Sequence, residues 1–514
     1  MNLSASVSVL HSASRVQSSK VDVGAHHTKS AMYTITDTLT AGEGWSNVFC
    51  RKPLDHVGPQ RPQTVEVFLE SILRELRGYP VSAFSAWYTL GVLVLVVTVS
   101  LIDRTIITML IGSVKADLGL DDFQVSLLMG TAFGICYVLF AVPFGWASDR
   151  FPRPYVIAFG VVFWSIACAS GGLAFSFAAL FVSRMMVGVG EASLSPSAYS
   201  LIGDLFPKRL VPTALAVYHY GGSVGLALAL AIGGTLAQMA VEGDLSFSLP
   251  LIGELRPWQL VFLLVGSPGL LLGLLALTIP EPRSKISKKV VVSPPPLLPF
   301  LKENRILIVT HFAGFSLGVL VIYAQLFWFP EFLIRFYDLR PSDVGMILGG
   351  ASLGGSLIGQ FAAVKLIGSF TASGRADAAI RSYLFLLIGG LIGAFLAFGT
   401  HSISITIVGI TLSIACLYPV QTCGITALQN FVPSRLLGRV TGMFVTSVNL
   451  IGLGVGASLV GFTSVYVLGG ESMLGTAMMI VSVLGVVLSM GFLLVARGPM
   501  RRAMRQISAT EAAL

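Results

Sequence analysis

Four charged residues stand out within the long apolar stretches of this sequence: Asp103, Arg104, Arg184 and Glu191. A charge at the centre of a membrane costs at least ~2.5–3.5 kcal/mol on insertion scales, so such residues are typical of functional sites. A carboxyl that alternates between a dry and a cationic environment can bind a proton on one side of a membrane and release it on the other. Static ion pairs that join helices are the alternative interpretation of the same residues.

The spacing of these four residues limits how they can pair. Arg184 and Glu191 share one helix face and lie two turns, or roughly 10 Å, apart, so they can bracket a site without direct contact. Asp103 and Arg104 are neighbours that project about 100° apart, so each needs a different partner. We predict that the four residues form a proton-coupling site and that Asp103 is its principal proton acceptor.

The surrounding chain has the composition of a protein embedded in a membrane. Of its 514 residues, 54% are hydrophobic and only 11% are charged, and the mean hydropathy is +0.82. A transmembrane helix needs about 20 apolar residues, and twelve such stretches predict an all-α integral membrane fold. The predicted spans are residues 84–112, 124–146, 154–174, 177–200, 211–240, 257–279, 306–336, 342–367, 380–399, 402–424, 437–467 and 472–496.

Lysine and arginine are distributed unevenly between the two ends of the predicted bundle. If the residues before span one are cytoplasmic, most loop cations fall on the cytoplasmic side. The positive-inside rule then places both termini in the cytoplasm. This asymmetry explains the net charge of +8 without a nucleic-acid partner. The cations on the opposite side are Lys115, Arg256, Arg335 and Arg340.

A polar, proline-interrupted segment divides the spans into two groups of six. We predict two six-helix halves at residues 81–280 and 306–496, joined by a cytoplasmic linker at 281–305 and followed by a cytoplasmic tail at 497–514. Such halves are typical of transporters built from repeats, which bind substrate near the midplane between the halves.

The residues before span one form two different segments. Residues 1–64 are polar and lack the apolar core of a signal peptide, so we expect either a disordered tail or translation from an over-extended start. Residues 65–80 place apolar and charged side chains on opposite faces at helical spacing. This pattern predicts an amphipathic helix at the membrane interface.

Two pairs of glycines have the spacing that lets helices approach closely. They are Gly221 with Gly225 in span five and Gly350 with Gly354 in span eight. Because a GxxxG pair leaves room for a neighbouring backbone, we predict close helix packing at both.

The loop after span two carries closely spaced charges. It reads Gly145-Trp-Ala-Ser-Asp149-Arg150-Phe-Pro-Arg153-Pro. This resembles the GxxxDRxGRR signature of the major facilitator superfamily and departs from it at the two prolines. The carboxylate can accept from the first amides of a neighbouring helix, and the arginines can bond to carbonyls or carboxylates. We predict that Gly145, Asp149, Arg150 and Arg153 form a cytoplasmic gate that holds the halves together.

The motif in span four makes the resemblance more specific than the superfamily as a whole. It reads Arg184-Met-Met-Val-Gly-Val-Gly-Glu191-Ala, which is similar to the superfamily's RxxxGxGxA motif, whose arginine is associated with proton-coupled transport. Together with Asp103-Arg104 in span one and a Tyr-Gly-Gly-Ser-Val-Gly run in span five, it resembles the spinster family.

The spinster resemblance is dense over residues 99–235 and thinner in the second half. The main match there is Asn430-Phe-Val-Pro-Ser-Arg-Leu-Leu-Gly-Arg439, and we assign Arg439 to the cytoplasmic gate. The resemblance implies a twelve-helix major facilitator fold. It implies that the protein is a bacterial homologue of this family and lies in the inner membrane. It also implies an amphipathic lipid substrate, such as a lysophospholipid or a sphingoid phosphate.

Several side chains suit such a substrate. Arginines can hold a phosphate head group, a histidine in span five can titrate near neutral pH, and aromatic side chains in span seven suit an apolar tail. Aromatic residues are also ordinary at helix ends, so this pattern is weak alone. The candidate substrate-binding residues are Arg104, Arg184, Glu191, His219, Tyr323 and Trp328.

We predict a monomeric, proton-coupled secondary transporter that works by alternating access, with membrane lipids and protons as partners. A proton-coupled drug or organic-anion efflux carrier would use the same charges. A lipid enzyme or a receptor in the membrane is the non-transport alternative, but no serine-nucleophile elbow, HExxH motif or Walker loop is identified. The five cysteines have no CxxC spacing, so neither a metal site nor a cofactor is predicted.

Overall fold

The structure is a computed structural model that describes residues 82–207, 210–242, 247–249, 253–282 and 296–512. The predicted N-terminal tail and the predicted interfacial helix lie outside the described residues. The central part of the predicted linker lies outside them as well.

Twelve helices in the described part of the chain are long and apolar enough to cross a membrane. The predicted all-α, twelve-helix architecture is therefore confirmed, and most span ends lie within a few residues of their predicted positions. The spans are Ala83–Met109, Asp122–Arg150, Arg153–Gly171, Phe177–Leu205, Thr213–Glu242, Pro257–Ala276, Arg305–Tyr337, Pro341–Ala372, Ala378–Phe398, Ile403–Phe431, Leu436–Val467 and Glu471–Arg505.

Short elements connect the spans. Helix Ile111–Leu118 follows span one, a two-stranded hairpin of Phe247–Leu249 and Gly253–Leu255 precedes span six, and helix Leu297–Glu303 precedes span seven. The last helix runs over Leu474–Ala512, so most of the predicted cytoplasmic tail is helical. Hereafter, the terminal end of the bundle is the end where span one begins and span twelve ends, and the far end is the opposite one.

Spans one and four depart from regular helix geometry close to their charged residues. Span one changes from an α-helix at Ala83–Thr105 to a tighter 3₁₀ turn at Ile106–Met109. Span four consists of two helices, Phe177–Glu191 and Leu194–Leu205. Pro196 lies in the first turn of the second helix, where its missing amide hydrogen costs no hydrogen bond. Such breaks leave backbone carbonyls available to side chains from other spans.

Glycines bring the two halves into contact at the far end. A Cβ added at Gly130 of span two would lie 2.6 Å from the carbonyl oxygen of Leu453 in span eleven. A Cβ at Gly345 of span eight would lie 2.3 Å from the carbonyl oxygen of Leu230 in span five. Because no side chain fits at these points, the facing backbones close the far end directly.

An ion-pair network joins the same end of the two halves. In the first half, Asp122 is fully buried and accepts from Lys115. Arg335 of the second half donates to Asp122 at 2.8 Å and to Glu331 at 2.7 Å, while Lys115 lies 2.7 Å from Glu471. The far end is therefore held shut by charges as well as by close backbone packing.

One of the two predicted GxxxG contacts is correct. Cβ atoms at Gly221 and Gly225 would lie within 3 Å of span one, whereas the positions at Gly350 and Gly354 have no neighbour within 4 Å, so the prediction for span eight is wrong. Both glycine pairs flank a serine and match GxSxG letter for letter. They lie within helices, whereas a serine-nucleophile elbow needs a turn from strand to helix.

The glycine contacts of span eight yield a matched test. We expect Gly345→Ala to lower the stability of the protein by roughly 1–3 kcal/mol, because the new methyl group pushes spans five and eight apart. Gly350→Ala, in open space on the same helix, should leave stability unchanged. Thermal unfolding of both purified variants measures the difference, and equal melting temperatures would contradict this account of far-end closure.

The ion-pair network yields a second test. Asp122→Asn leaves Lys115 and Arg335 without their buried counter-ion, which should weaken the closed far end by on the order of 3 kcal/mol. Spin labels at Ala116→Cys and Met346→Cys should then report longer distances across the far end. Arg340→Gln breaks only an exposed pair with Asp343 and should leave the distances unchanged. Equal distance distributions in all three proteins would show that the network does not hold this end shut.

Candidate functional site

A buried ion pair forms the centre of the first half. Nη2 of Arg104 in span one lies 2.5 Å from Oε2 of Glu191 in span four, and Ser100 donates to the same oxygen at 2.8 Å. The Arg104 guanidinium also stacks over the ring of Phe133 at 4.3 Å. Glu191 is 1% exposed, so these contacts replace the water that both charges lose. The pairing satisfies the sequence expectation that Arg104 and Asp103 have different partners.

Asp103 lies beside this pair with fewer contacts. Its carboxyl group is fully buried, and Oδ2 accepts a hydrogen bond of 3.1 Å from the indole of Trp164 in span three. Oδ1 has no hydrogen-bond partner among the described residues. An ionised carboxylate in this position bears a desolvation cost that protonation removes.

Arg184 contacts the backbone of span one. Its two terminal nitrogens donate to the carbonyl oxygens of Asp103 at 3.1 Å and Arg104 at 2.8 Å. These carbonyls lie just before the 3₁₀ turn, where regular helical bonding ends. Arg184 thus fixes the end of span one and brings a positive charge to the depth of Asp103 without bonding its carboxyl group.

Tyrosines extend the site from Arg104 toward the terminal end. The ring of Tyr137 lies 5.5 Å from the Arg104 guanidinium, and its hydroxyl lies 3.2 Å from that of Ser195. Tyr199 lies further along, with its ring 5.8 Å from that of His219. The predicted substrate residue His219 is exposed and therefore lies at the outer end of this row, not in the charged centre.

The two candidates from span seven have different environments. Tyr323 is half-buried and lies within electrostatic reach of Arg104, so it brings the second half into contact with the charged centre. Trp328 is fully buried and donates to the carbonyl oxygen of Ala457 at 2.9 Å. Its ring packs between spans seven and eleven in this conformation.

The second half contributes neutral polar groups at its own centre. Gln325 donates to Ser482 at 2.9 Å and accepts from Ser413 at 2.8 Å. A narrow apolar cavity between spans five, seven, eight and ten includes Gln325 in its lining. The hydroxyl group of Tyr418, which also lines the cavity, lies 3.3 Å from that of Ser223 and joins the two halves.

Arg153 of the predicted gate is bonded within the first half. It is fully buried and contacts Asp204 at 2.6 Å, Ser200 at 2.9 Å and Glu281 at 2.5 Å. Ser200 and Asp204 lie in the last turns of span four and Glu281 follows span six, so Arg153 ties three spans of one half together. Among the described residues, the structure gives Arg153 no hydrogen bond or ion pair with the other half.

The other predicted gate residues also lie at the terminal end. Arg150 stacks on Trp146 at 4.6 Å, and Asp149 and Arg439 are exposed. A Cβ at Gly145 would have no neighbour within 4 Å. The same holds at Gly438 and Gly442 of span eleven. Their joining of the two halves stays a prediction.

Sequence reasoning missed Ser100, Trp164 and Tyr137. Each is a common residue in an apolar span, and no local motif distinguishes it. Helical spacing from Arg104 would have suggested Ser100, four residues earlier on the same face. The other two become visible only when the packing of spans two and three against span one is known.

Comparisons with known proteins agree with this architecture. The Major Facilitator Superfamily description matches residues 93–457. A bacterial homologue of the human lysosomal transporter spinster, solved in an inward-facing and unoccupied conformation, superimposes with a TM-score of 0.69 at 26% identity over 83% of this chain and 98% of that one.

Curated relatives of two kinds share parts of the chain. Protein spinster of Drosophila melanogaster is 33% identical over 30% of this chain and 26% of the relative. A sphingosine-1-phosphate transporter of Mus musculus is 32% identical over 30% and 28%. A probable galactarate/D-glucarate transporter of Bacillus subtilis is 27% identical over 51% and 60%. Each of these matches spans less than two thirds of the relative. Because the superfamily match covers most of the twelve-span bundle, the chain belongs to the Major Facilitator Superfamily and is a secondary transporter similar to the spinster proteins.

Proposed function

We propose that the protein is a proton-coupled carrier of an amphipathic lipid with an anionic head group. The observation that carries this proposal is the buried carboxyl group of Asp103, with one unpartnered oxygen, beside the ion pair of Arg104 and Glu191. Proton coupling needs a carboxyl group whose environment changes between the two states of the carrier. Asp103 lies where spans one, three and four meet, beside the ion pair, so a change in the partner of Arg104 changes its surroundings.

Arg104 is the proposed contact for the head group. A phosphate is an acceptor that competes with Glu191 for the guanidinium. When phosphate binds Arg104, the Glu191 carboxylate loses its buried counter-ion beside Asp103, and proton uptake by Asp103 then lowers the cost of two unpaired negative charges. Substrate binding and protonation are thereby linked within one site. Tyr137 and Tyr199 provide the amphipathic surface along which the rest of the lipid lies.

We propose that the terminal end faces the cytoplasm of a bacterial inner membrane. Most loop lysines and arginines lie at that end, as the positive-inside rule requires. In that orientation, the contacts across the far end and the room for a Cβ at Gly145 and Gly438 support an inward-open state. The similarity to an inward-facing spinster homologue supports this assignment.

An organic-anion carrier is the second candidate. The relative from Bacillus subtilis that is named for galactarate and glucarate is 27% identical over half of this chain. Sugar acids carry carboxylates that Arg104 binds as readily as phosphate. The two candidates differ in the rest of the substrate, because a sugar acid needs polar partners where a lipid needs apolar ones.

Asp103→Asn tests proton coupling. The amide still accepts from Trp164 but cannot release a proton, so we expect transport to continue as substrate exchange while its response to a pH gradient is lost. The response is measured as the ratio of substrate uptake into proteoliposomes with an imposed pH gradient to uptake without one. Asp343→Asn, an exposed carboxyl outside the site, is the control. A gradient response that survives in Asp103→Asn would exclude Asp103 as the coupling residue.

Arg104→Gln tests the substrate class. Loss of a charge-assisted hydrogen bond should weaken binding of a lysophospholipid roughly 10- to 100-fold, while Arg340→Gln should bind as the parent protein does. The double variant with Glu191→Gln removes the stranded carboxylate and should bind as weakly as the single one. Binding to purified protein is measured by competition against lysophospholipid, sphingoid phosphate and glucarate. If glucarate displaced the bound tracer and neither lipid did, the result would favour the organic-anion carrier.

A further inference from the structure

Three arginines meet at one buried carboxylate at the terminal end of the second half. Asp377, in the loop before span nine, is 1% exposed. Its Oδ2 atom accepts from Arg497 at 2.6 Å and from Arg501 at 3.1 Å, and the guanidinium of Arg381 lies 3.7 Å away. We call Arg381, Arg497 and Arg501 the arginine cluster.

The charges of the arginine cluster exceed what Asp377 can neutralise. Burial works to raise the pKa of Asp377, but hydrogen bonds from Arg497 and Arg501 outweigh it and hold that pKa below its ordinary value. The carboxylate therefore stays ionised and offsets one of three positive charges. Nε of Arg381 is buried and has no partner among the described residues. An additional anion would relieve the repulsion among the three guanidinium groups.

The corresponding place in the first half is balanced differently. There, Arg153 follows the loop between spans two and three and bonds to two carboxylates, Asp204 and Glu281. Both clusters occupy equivalent places. In each half, they connect the loop between the second and third spans to the segment that ends the half. One arginine is enough for this purpose in the first half, so the surplus of cations in the second half is not a requirement of the fold.

Exposed apolar side chains lie beside the arginine cluster on the membrane side. Phe385 is one turn beyond Arg381 on the same face of span nine and is 59% exposed. Leu494 is two turns before Arg501 on the same face of span twelve and is 51% exposed. Spans nine and twelve are neighbours, so cations at the membrane surface sit directly above an apolar face.

From this arrangement, we infer that the arginine cluster binds the phosphate of an anionic diacyl phospholipid in the leaflet at the terminal end. The guanidinium groups are partly exposed, with 43% of the Arg501 side chain accessible and 25% of Arg381 and of Arg497. Fork-shaped donors match phosphate oxygens, and basic pockets between spans bind lipid head groups. The acyl chains lie along Phe385 and Leu494, which a free phosphate ion does not contact.

The inference is tested on the purified full-length protein by native mass spectrometry and thermal unfolding with added lipid. The parent protein should retain phosphatidylglycerol in preference to phosphatidylcholine, and phosphatidylglycerol should raise its Tm. Arg501→Gln should reduce retention of phosphatidylglycerol about fivefold, as expected for one arginine at a membrane surface. Arg502→Gln changes the net charge equally at an exposed neighbouring position and should have no effect.

Arg501→Lys keeps the charge and should keep most of the lipid preference, which separates binding from misfolding. Equal retention of both lipids by the parent protein would overturn the inference. So would an equal loss in Arg501→Gln and Arg502→Gln, which would indicate a general charge effect. Full competition by inorganic phosphate would show an ion site without lipid specificity. A lower Tm of Arg501→Gln with unchanged lipid preference would show that the cluster only clamps spans nine and twelve.

Discussion

A carboxylate and a guanidinium remain buried together only when their other donors and acceptors also find partners. The ion pair of Arg104 and Glu191 meets this condition in part, through Ser100 and the ring of Phe133. Arg184 then holds the backbone of span one where its helix tightens. The first half is thus built around charges that fix the relative positions of spans one and four. Asp103, beside them, is the carboxyl group left with the fewest contacts.

The two ends of the bundle show what has to change for a carrier to alternate. At the far end, backbones touch at Gly130 and Gly345, and Asp122 bonds across the halves. At the terminal end, a Cβ at Gly145 would have no neighbour within 4 Å, and the partners of Arg153 among the described residues lie in or directly after its own half. Under the proposed mechanism, each half keeps its internal ion pairs and moves as a rigid body about the central site, while the contacts between the halves are exchanged.

The sequence predicted the twelve spans well, because a span depends on local composition. The proton-coupling role of the charged residues within those spans stays a prediction. The sequence predicted the contacts of those residues poorly. The approach of Trp164 to Asp103, the backbone contacts of Arg184 and the burial of Trp328 all depend on how spans rotate and slide against each other. Hydropathy carries no information about that rotation. For the same reason, two GxxxG pairs look alike in sequence, although only Gly221 and Gly225 face a neighbouring helix.

The position of Tyr323 gives the proposed coupling a physical route. The ion pair and Asp103 belong entirely to the first half, whereas the centre of the second half holds the neutral groups of Gln325, Ser413 and Ser482. A change of charge in the first half must therefore be sensed by the second half through a contact between them. Tyr323 reaches Arg104 from span seven, and its phenol interacts differently with a paired and a released guanidinium. Under the proposed mechanism, the contact of Tyr323 with Arg104 therefore changes when Arg104 exchanges Glu191 for a phosphate, and this changes the interface between the halves.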